Sequence, residues 1–410
     1  MDCNFLWLYI EHAATSCFRS NLPKPTFTLY PLYQTTIMDS CKLLFPFLLC
    51  SLFFFVLPLA SHAHLLKACQ FEAIYNLGDS ISDTGNLIRE DPASVFGRLP
   101  YGQNFCFSAT GRCSNGLLMI DFIAKSAGVP LLNAYLNECS TKTHGVNFAV
   151  AGSTALPVQF LAENRIIAPV TNSSLSVQLN WMTAHFNSTC HNSKDCIEKY
   201  KKSLFMVGEI GGNDYNYALL QGKTIDELKP MIPDVVNAIK DAVARVIGFG
   251  ATRVVVPGNF PIGCMPIYLT GFHTNDTNDS NAYDELHCLK GLNNFAIYHN
   301  ELLQQGIIAL QEEHPHGTIV YGDYYNAYKW VLQKAALLGF DPNSVQKACC
   351  GCGGDYDFSL ERFCGAPDVP VCAKPEERMS WDGIHSTQKA YFFMARWLIR
   401  DIFQKLRCIA

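Results

Sequence analysis

Residues at four places along this chain have the side chains that ester cleavage by a serine requires. Ser80, in the sequence Gly-Asp-Ser, can act as a nucleophile, and His385 can accept its hydroxyl proton. Asp382 lies three residues before this histidine and can accept the Nδ1 proton of the imidazole, which fixes the tautomer. The backbone N–H groups of Ser80 and Gly152 and the side-chain amide of Asn213 are candidates for an oxyanion hole. Together these five residues predict an acyl-serine mechanism.

Each of these motifs also has a purely structural interpretation. Ser80 and Asp382 belong to residue types that commonly cap helices, and Asn213-Asp214 fits an ordinary turn. The motifs at Ser80, Gly152 and Asn213 follow three successive predicted strands, however, and unrelated caps and turns would not be expected in that arrangement. Their joint occurrence favours the chemical interpretation.

The elements that must position these residues alternate along the chain. Short β-rich runs are separated by longer helical patterns, which is typical of parallel strands joined by crossover helices. The predicted strands are Ala73–Leu77, Val146–Val150, Leu204–Glu209, Arg253–Val256 and Thr318–Tyr321. Helices are predicted from about Leu228 to Ile247, with a kink at Pro233, from about Leu292 to Leu310, and from Tyr391 to Leu406.

This pattern predicts an α/β fold, a three-layer, doubly wound sheet of five parallel strands. In such sheets ligands bind outside the carboxyl ends of the strands, where the residues named above are found. Because neither an internal repeat nor an interdomain linker is evident, residues 64–410 are predicted to form a single domain.

Overall charge and composition limit the partners of the protein. Of 410 residues, 49% are hydrophobic and 16% charged, which is ordinary for a globular chain, and the formal net charge is -5. Lys and Arg are scattered rather than clustered, so nucleic acid is not an expected partner. The acyl-serine mechanism needs no cofactor and no metal. The expected partner is a small-molecule ester, and the oligomeric state stays open.

The N-terminal region has the pattern of a secretory signal. Residues 43–60 are almost wholly apolar, Lys42 precedes them, and Ser61-His62-Ala63 resembles a signal-peptidase site. Residues 38–63 are therefore interpreted as a signal peptide, with a signal anchor as the alternative because 18 apolar residues approach the length of a membrane span. Residues 1–37 precede this complete signal and its own Met38, and are interpreted as an over-extended start. The mature protein is expected to be secreted, with the vacuole as an alternative destination, and to keep no membrane insertion.

Cysteines and glycosylation acceptors fit the same compartment. After residue 63 the chain contains 14 of its 18 cysteines, an even number that suggests disulfides of unknown connectivity. Zinc binding by the cluster around Cys349, Cys350 and Cys352 is the alternative, although paired Cys-x2-Cys motifs at zinc-ribbon spacing are absent. N-glycosylation acceptors are found at Asn172, Asn187, Asn275 and Asn278.

The ordered blocks GDS, Gly, GxND and DxxH resemble those of the GDSL or SGNH family of serine esterases and lipases, in its plant branch. Further blocks support the resemblance, namely RLPYG at 98–102, GRCSNGLLMIDFIA at 111–124, GVNFAVAGSTAL at 145–156, PGNFPIGCMP at 257–266 and CCGCGG at 349–354. The first block reads GDSI rather than GDSL. The GxSxG motif of α/β-hydrolases is absent from the sequence.

The resemblance implies an SGNH-hydrolase, flavodoxin-like fold and a role for each matching residue. It places the nucleophile on Ser80, the oxyanion donors on Gly152 and Asn213, and the acid and base on Asp382 and His385. It implies hydrolysis of a short acyl ester, acetyl-like, of a plant specialised metabolite. Two alternatives remain: an acyltransferase that uses the same acyl-serine, and a catalytically silent glycosylated binding protein.

Overall fold

The computed structural model describes residues 64–190, 193–272 and 282–408. These residues belong to one compact unit, Ala63–Ala410. The predictions for residues 1–37 and 38–63, and those for Asn275 and Asn278, fall outside the described residues.

Five parallel strands form one sheet in the order β2-β1-β3-β4-β5, which confirms the predicted fold class. Each strand consists mainly of buried residues, because helices cover both faces of the sheet. The order places β1 and β3 next to each other at the centre, so the loops that leave them lie side by side. The strands are β1 (Ala73–Leu77), β2 (Gly145–Asn147), β3 (Ser203–Val207), β4 (Arg253–Pro257) and β5 (Thr318–Gly322).

The second strand is shorter than its sequence predicts. It ends at Asn147, whereas the apolar run continues to Val150. The chain still follows β1 beyond that point, since Phe148 N donates to Asn76 O at 2.7 Å and Val150 N donates to Gly78 O at 3.2 Å. Asn147 interrupts the regular ladder because its side chain bonds to the loop after β1, through Nδ2 to the carbonyl of Ser82.

Helices form a layer on each face of the sheet. One layer consists of α4, α8 and α10, and the other of α2, α11 and α12, with contacts within each layer and onto the strands. The helices are α1 (Leu87–Glu90), α2 (Met119–Ala127), α3 (Val158–Glu163), α4 (Leu175–Thr189), α5 (Ser193–Lys201), α6 (Gly212–Leu220), α7 (Ile225–Leu228), α8 (Ile232–Gly248), α9 (Pro266–Gly271), α10 (Lys290–Glu313), α11 (Tyr324–Gln333) and α12 (Gln388–Lys405).

The predicted kink at Pro233 is wrong. Pro233 lies in the first turn of α8, where a missing N–H leaves no intrahelical hydrogen bond unmade. Residues 225–231 before it form a separate short helix and a 3-10 turn. Within α8 the buried apolar residues recur at helical spacing and face the sheet, as the sequence pattern predicted; they are Ile232, Val235, Val236, Ile239, Ala242, Val243 and Val246.

Disulfides join residues both near and far apart in the described part of the chain. Cys69 is bonded to Cys408, 339 residues later, and this bond ties the segment before β1 to the end of α12. The other pairs that the structure describes are Cys190–Cys196, Cys264–Cys288, Cys349–Cys372 and Cys350–Cys364. Two of these pairs use the cysteine-rich cluster for which zinc was the alternative. Among the described helices, none has the length and apolar character needed to cross a bilayer.

Candidate active site

Ser80 lies in a tight turn directly after β1. The backbone N–H groups of Ser82 and Asp83 donate to the carbonyl of Asp79, at 3.2 Å and 3.0 Å, so the chain reverses immediately after the strand. The Ser80 side chain caps no helix; its Oγ lies 2.8 Å from Nε2 of His385. Ser80 is 9% exposed, so the hydroxyl borders solvent while its hydrogen bond is sheltered.

Asp382 and His385 lie in the loop that precedes α12. Asp382 Oδ2 is 2.7 Å from His385 Nδ1, and its Oδ1 accepts the backbone N–H groups of Ile384, at 3.0 Å, and His385, at 2.7 Å. The side chain that caps α12 is Thr387 rather than Asp382. A continuous hydrogen-bonded path therefore runs from Asp382 through the imidazole to Ser80, although the serine and the histidine are 305 residues apart.

Tyr101 is a part of the site to which sequence reasoning assigned no role. Its hydroxyl donates to Asp382 Oδ2 at 2.8 Å across a separation of 281 residues. Phe96 packs edge-on against both Tyr101 and His385, with ring centroids 5.0 Å and 5.8 Å apart. Tyr101 belongs to the RLPYG block, but nothing in that block by itself points to a partner so distant in sequence.

The Asp382 carboxylate is stabilised in its charged form. Burial by itself would raise its pKa, but the nearby His385 and the hydrogen bonds to the carboxylate outweigh burial, so the pKa lies below the ordinary value. A group that stays ionised can hold one imidazole tautomer and can stabilise the imidazolium that forms when Nε2 takes a proton.

Gly152 lies in the loop that follows β2, and Asn213 lies at the start of the helix that follows β3. Gly152 has φ +84°, and a Cβ at this position would stand 2.5 Å from the side chain of Val170, so both backbone conformation and space require glycine. Asn213 is in the first turn of α6, and its Nδ2 donates to the carbonyl of Ser153 at 2.9 Å. Since a side-chain amide has two N–H bonds, the second is available to a ligand.

A cavity of about 130 Å³ opens beside Ser80 and Asn213. Its wall is largely apolar and comes from the loop after β1, the segment from β3 into α6, the loop between β4 and α9, and the loop before His385. The larger lining side chains are Ile81, Ile210, Tyr217, Leu220, Phe260, Ile262, Met265, Ile267, Tyr268 and Ile384. An apolar recess beside a nucleophile suits the hydrocarbon part of an ester.

Two buried carboxyl groups, those of Asp79 and Glu209, also line this cavity. Burial raises the pKa of Asp79 well above its ordinary value, and the nearby Glu209 adds to the increase. Burial also raises the pKa of Glu209. A raised pKa favours the neutral carboxylic acid, which limits the repulsion that an anion forming next to Ser80 would experience.

Other predicted features have clear positions in the structure. The acceptors Asn172 and Asn187 are both exposed. His185 and His299, interpreted from the sequence as structural, are buried in α4 and α10, and burial lowers the pKa of each to about 4. Among residues 64–190, 193–272 and 282–408, no group of three or more potential ligands is arranged to hold a metal ion.

Comparison with known proteins agrees with this architecture. Residues 74–398 match the family described as GDSL-like lipase/acylhydrolase. Acetylajmalan esterase 1 from Rauvolfia serpentina is 43% identical over 343 residues, covering 83% of this chain and 89% of that protein. Acetylajmalan esterase from the same plant is 44% identical and covers 83% and 88% of the two chains. The GDSL esterase/lipase At5g03980 from Arabidopsis thaliana is 45% identical over 361 residues, covering 87% and 97%.

Proposed function

This chain belongs to the GDSL-like lipase/acylhydrolase family and is an ester-bond hydrolase of the plant serine esterase type, and we propose that Ser80, His385 and Asp382 carry out its reaction. The observation that supports the proposal most strongly is the hydrogen-bonded path between them, with a Ser80 Oγ to His385 Nε2 distance of 2.8 Å and a His385 Nδ1 to Asp382 Oδ2 distance of 2.7 Å. Both distances suit direct proton transfer and tautomer control.

In the first half of the proposed reaction, Ser80 Oγ attacks the ester carbonyl carbon while His385 Nε2 removes the hydroxyl proton. The negative charge that develops on the carbonyl oxygen is stabilised by the second N–H of the Asn213 amide and by the backbone N–H groups of Gly152 and Ser80. Collapse of the tetrahedral intermediate breaks the bond to the alcohol. The imidazolium of His385 gives its proton to the departing alcohol oxygen, and the acyl group remains on Ser80.

The second half of the reaction reverses these roles with water. His385 accepts a proton from water as the oxygen attacks the acyl carbon, and the same donors stabilise the second oxyanion. When the intermediate collapses, the proton passes from His385 to Ser80 Oγ and the carboxylic acid leaves. Asp382 stays ionised throughout and holds the imidazole in place, and the Tyr101 hydroxyl donates to the same Oδ2 that faces His385 Nδ1.

The preferred substrate, we infer, is a short acyl ester, acetyl or similarly small, of a plant specialised metabolite. Two of the relatives are named as esterases of acetylajmalan. The cavity beside Ser80 measures about 130 Å³, somewhat less than the roughly 150 Å³ of an engineered protein cavity that holds benzene. A short acyl group fits such a space, whereas most of a palmitoyl chain would have to leave it.

Residues 64–410 are proposed to be the mature, secreted hydrolase domain, with the vacuole as an alternative destination and residues 38–63 as its signal peptide. Five disulfides among the described residues and the exposed acceptors Asn172 and Asn187 suit an oxidising, glycosylating compartment.

The catalytic assignment is tested by Ser80→Ala with Ser82→Ala as the matched control. Ser82 is a buried serine in the same turn, but its Oγ accepts from Asn76 rather than facing His385. We expect Ser80→Ala to lower kcat by roughly 10³-fold or more and to abolish labelling by a fluorophosphonate probe. Labelling should persist in Ser82→Ala. Turnover at the wild-type rate in Ser80→Ala, or labelling at another serine, would refute the assignment.

The acyl preference is tested by kcat/KM across acetyl, butyryl, octanoyl and palmitoyl esters of one alcohol. A long acyl tunnel would raise kcat/KM by about fourfold for each methylene buried, because each is worth about 0.8 kcal/mol; a small cavity should show a decrease beyond butyryl. Ile262→Ala removes part of the cavity wall and enlarges the cavity, so the acyl length with the highest kcat/KM should become longer. Ile308→Ala, at an exposed position on α10 outside the cavity, should leave that length unchanged. A maximum at palmitoyl would overturn the short-acyl proposal.

A further inference from the structure

The loop after β2, residues 151–156, is anchored on two sides by buried carboxyl groups, one from the turn after β1 and one from the first turn of α6. Asp83, from the turn that carries Ser80, accepts the backbone N–H of Ala151 at 2.9 Å through Oδ2. Asp214, adjacent to Asn213, accepts the N–H groups of Ala155 at 2.8 Å and Leu156 at 2.9 Å, one on each oxygen. Neither carboxylate has any solvent exposure.

Ordinary capping does not account for these contacts. Asp214 stands in the first turn of α6, where an acidic side chain usually bonds the N–H groups of its own helix. Besides an interaction with the backbone N–H of Asp214 itself, both of its oxygens accept N–H groups of a different loop. Asp83 bonds its own turn through Gly85, Asn86 and Leu87, yet it also reaches Ala151, 68 residues away.

Gly152 lies between these anchors and has little freedom to move. Its carbonyl accepts the hydroxyl of Tyr217 at 2.7 Å, and the carbonyl of the next residue, Ser153, accepts the amide of Asn213. Val170 packs directly against its α-carbon on the remaining side. The Gly152 N–H is thus fixed relative to both the Ser80 turn and the start of α6.

We propose that Asp83 and Asp214 are positioning residues that hold the Gly152 N–H in register with Ser80 and Asn213, so that the turn after β1, the loop after β2 and the start of α6 form one oxyanion hole. The proposal rests on the function proposed above. An oxyanion donor is effective only within a few tenths of an ångström of the transition-state oxygen, and removal of one such donor costs about 10²- to 10³-fold in kcat. A misplaced loop should therefore impair the transition state while leaving the apolar cavity intact.

Asp214→Asn tests the proposal with minimal change in shape when it is assayed at pH 8, above the pKa of about 7 to which burial raises the Asp214 carboxyl. The oxygen of the new amide can still accept one backbone N–H. Its NH2 group, in place of the second oxygen, is a donor and cannot bond the other backbone N–H. We expect kcat to fall about 100-fold with KM changed by less than about threefold, and affinity for a trifluoromethyl ketone analogue of the ester to fall in parallel with kcat/KM. Ser80 Oγ adds to the carbonyl carbon of that ketone, and the carbonyl oxygen becomes an oxyanion in the hole. An unreactive ether analogue forms no such adduct, so affinity for the ether should stay unchanged.

Asp284→Asn is the matched control. Asp284 Oδ1 also accepts two backbone N–H groups, those of Leu286 and Cys288, but in a loop that carries none of the proposed site residues. Its kinetic constants should match those of the wild type. Equal losses of ketone and ether affinity in Asp214→Asn, or no loss of either, would overturn the positioning role.

Two further measurements keep the outcomes distinguishable. Asp83→Asn weakens the same loop from its other side and should show the same selective loss of ketone affinity. Should neither variant fold, amide hydrogen exchange in the wild type decides: protection at Ala155 and Leu156 comparable to that of β3 supports the anchor, and rapid exchange refutes it. Activity in Ser80→Ala would refute the proposed function itself. A failure of the Asp214→Asn and Asp83→Asn tests, with Ser80→Ala inactive, would refute only the positioning role.

Discussion

The short loop between Asp382 and His385 contains a glycine whose replacement should disable the enzyme without touching a reacting group. Gly383 has φ +95°, a conformation that L-residues rarely adopt. A Cβ built there would lie 2.0 Å from Cδ2 of Phe358, a residue that is only 4% exposed. Gly383→Ala therefore imposes both backbone strain and a collision with a packed ring.

The size of the effect follows from these distances. Ordinary van der Waals contact begins at 3.4 Å, so the loop and the ring must separate by about 1.4 Å. Gly383 N donates to Ser380 Oγ at 3.0 Å and its carbonyl accepts the N–H of Ile267 at 3.1 Å, so a displacement here is transmitted along the loop to His385. Because a misplacement of about 1 Å can cost 10²-fold in rate, we expect kcat/KM to fall at least 100-fold. Backbone strain should also lower the free energy of unfolding by about 1–3 kcal/mol.

Gly354→Ala separates strain from collision. Gly354 also has a positive φ, +60°, but nothing lies within 4 Å of its Cβ position. This variant should lose about 1 kcal/mol of stability and keep the kcat/KM of the wild type. The assay is ester hydrolysis together with urea unfolding for both variants and the wild type. A folded Gly383→Ala enzyme with kcat/KM within threefold of the wild type would show that the loop does not fix His385, and would refute the reasoning.

The remaining predictions concern the oxyanion donor, pH and secretion. Asn213→Ala should lower kcat by about 10²- to 10³-fold; a change confined to KM would contradict its donor role. Burial raises the pKa of Asp214 from 3.8 to about 7, so the folded protein holds a proton that the unfolded chain releases between these values. The free energy of unfolding should therefore decrease as pH rises through this window, and this group contributes at most about 4 kcal/mol to the decrease. Urea unfolding at pH 5 and pH 8 measures the decrease, which should be smaller for Asp214→Asn than for the wild type. Equal decreases in the two proteins would refute the assignment. Glycosidase should reduce the mass of the secreted protein, with less reduction after Asn172→Gln or Asn187→Gln, and N-terminal sequencing should begin near His64; a glycan-free protein that begins at Met1 would contradict secretion.

The sequence contains enough to predict the sheet and the residues at its edge. Five short apolar runs form five parallel strands, as their alternation with longer helical patterns predicts. Four of these strands match the predicted bounds within two residues at each end. Motifs at strand exits are local, so Ser80 and Asn213 were recognisable as soon as the strands were placed. The structure then puts both of them on the wall of one cavity.

Contacts between distant segments could not be predicted in the same way. The bond from Tyr101 to Asp382, and those from Asp214 to Ala155 and Leu156, depend on how loops meet in space rather than on any local pattern. The early end of β2 has a similar origin, since the Asn147 side chain competes with the regular ladder by bonding to the loop after β1. Pro233 was misinterpreted because its effect depends on whether it lies in the first turn or the interior of a helix.

The Cys69–Cys408 bond makes the described chain a covalent ring that contains both halves of the proposed catalytic pair. By the loop-entropy relation, closing a ring of 339 residues restricts the unfolded chain by an amount worth about 5–6 kcal/mol. A nick in a ring yields one linear molecule instead of two fragments. If a protease cuts the exposed turn at Gly222, for example, the pieces that carry Ser80 and His385 remain one molecule until a reductant opens the bond. An enzyme built in this way can survive a single backbone cut that would divide an open chain.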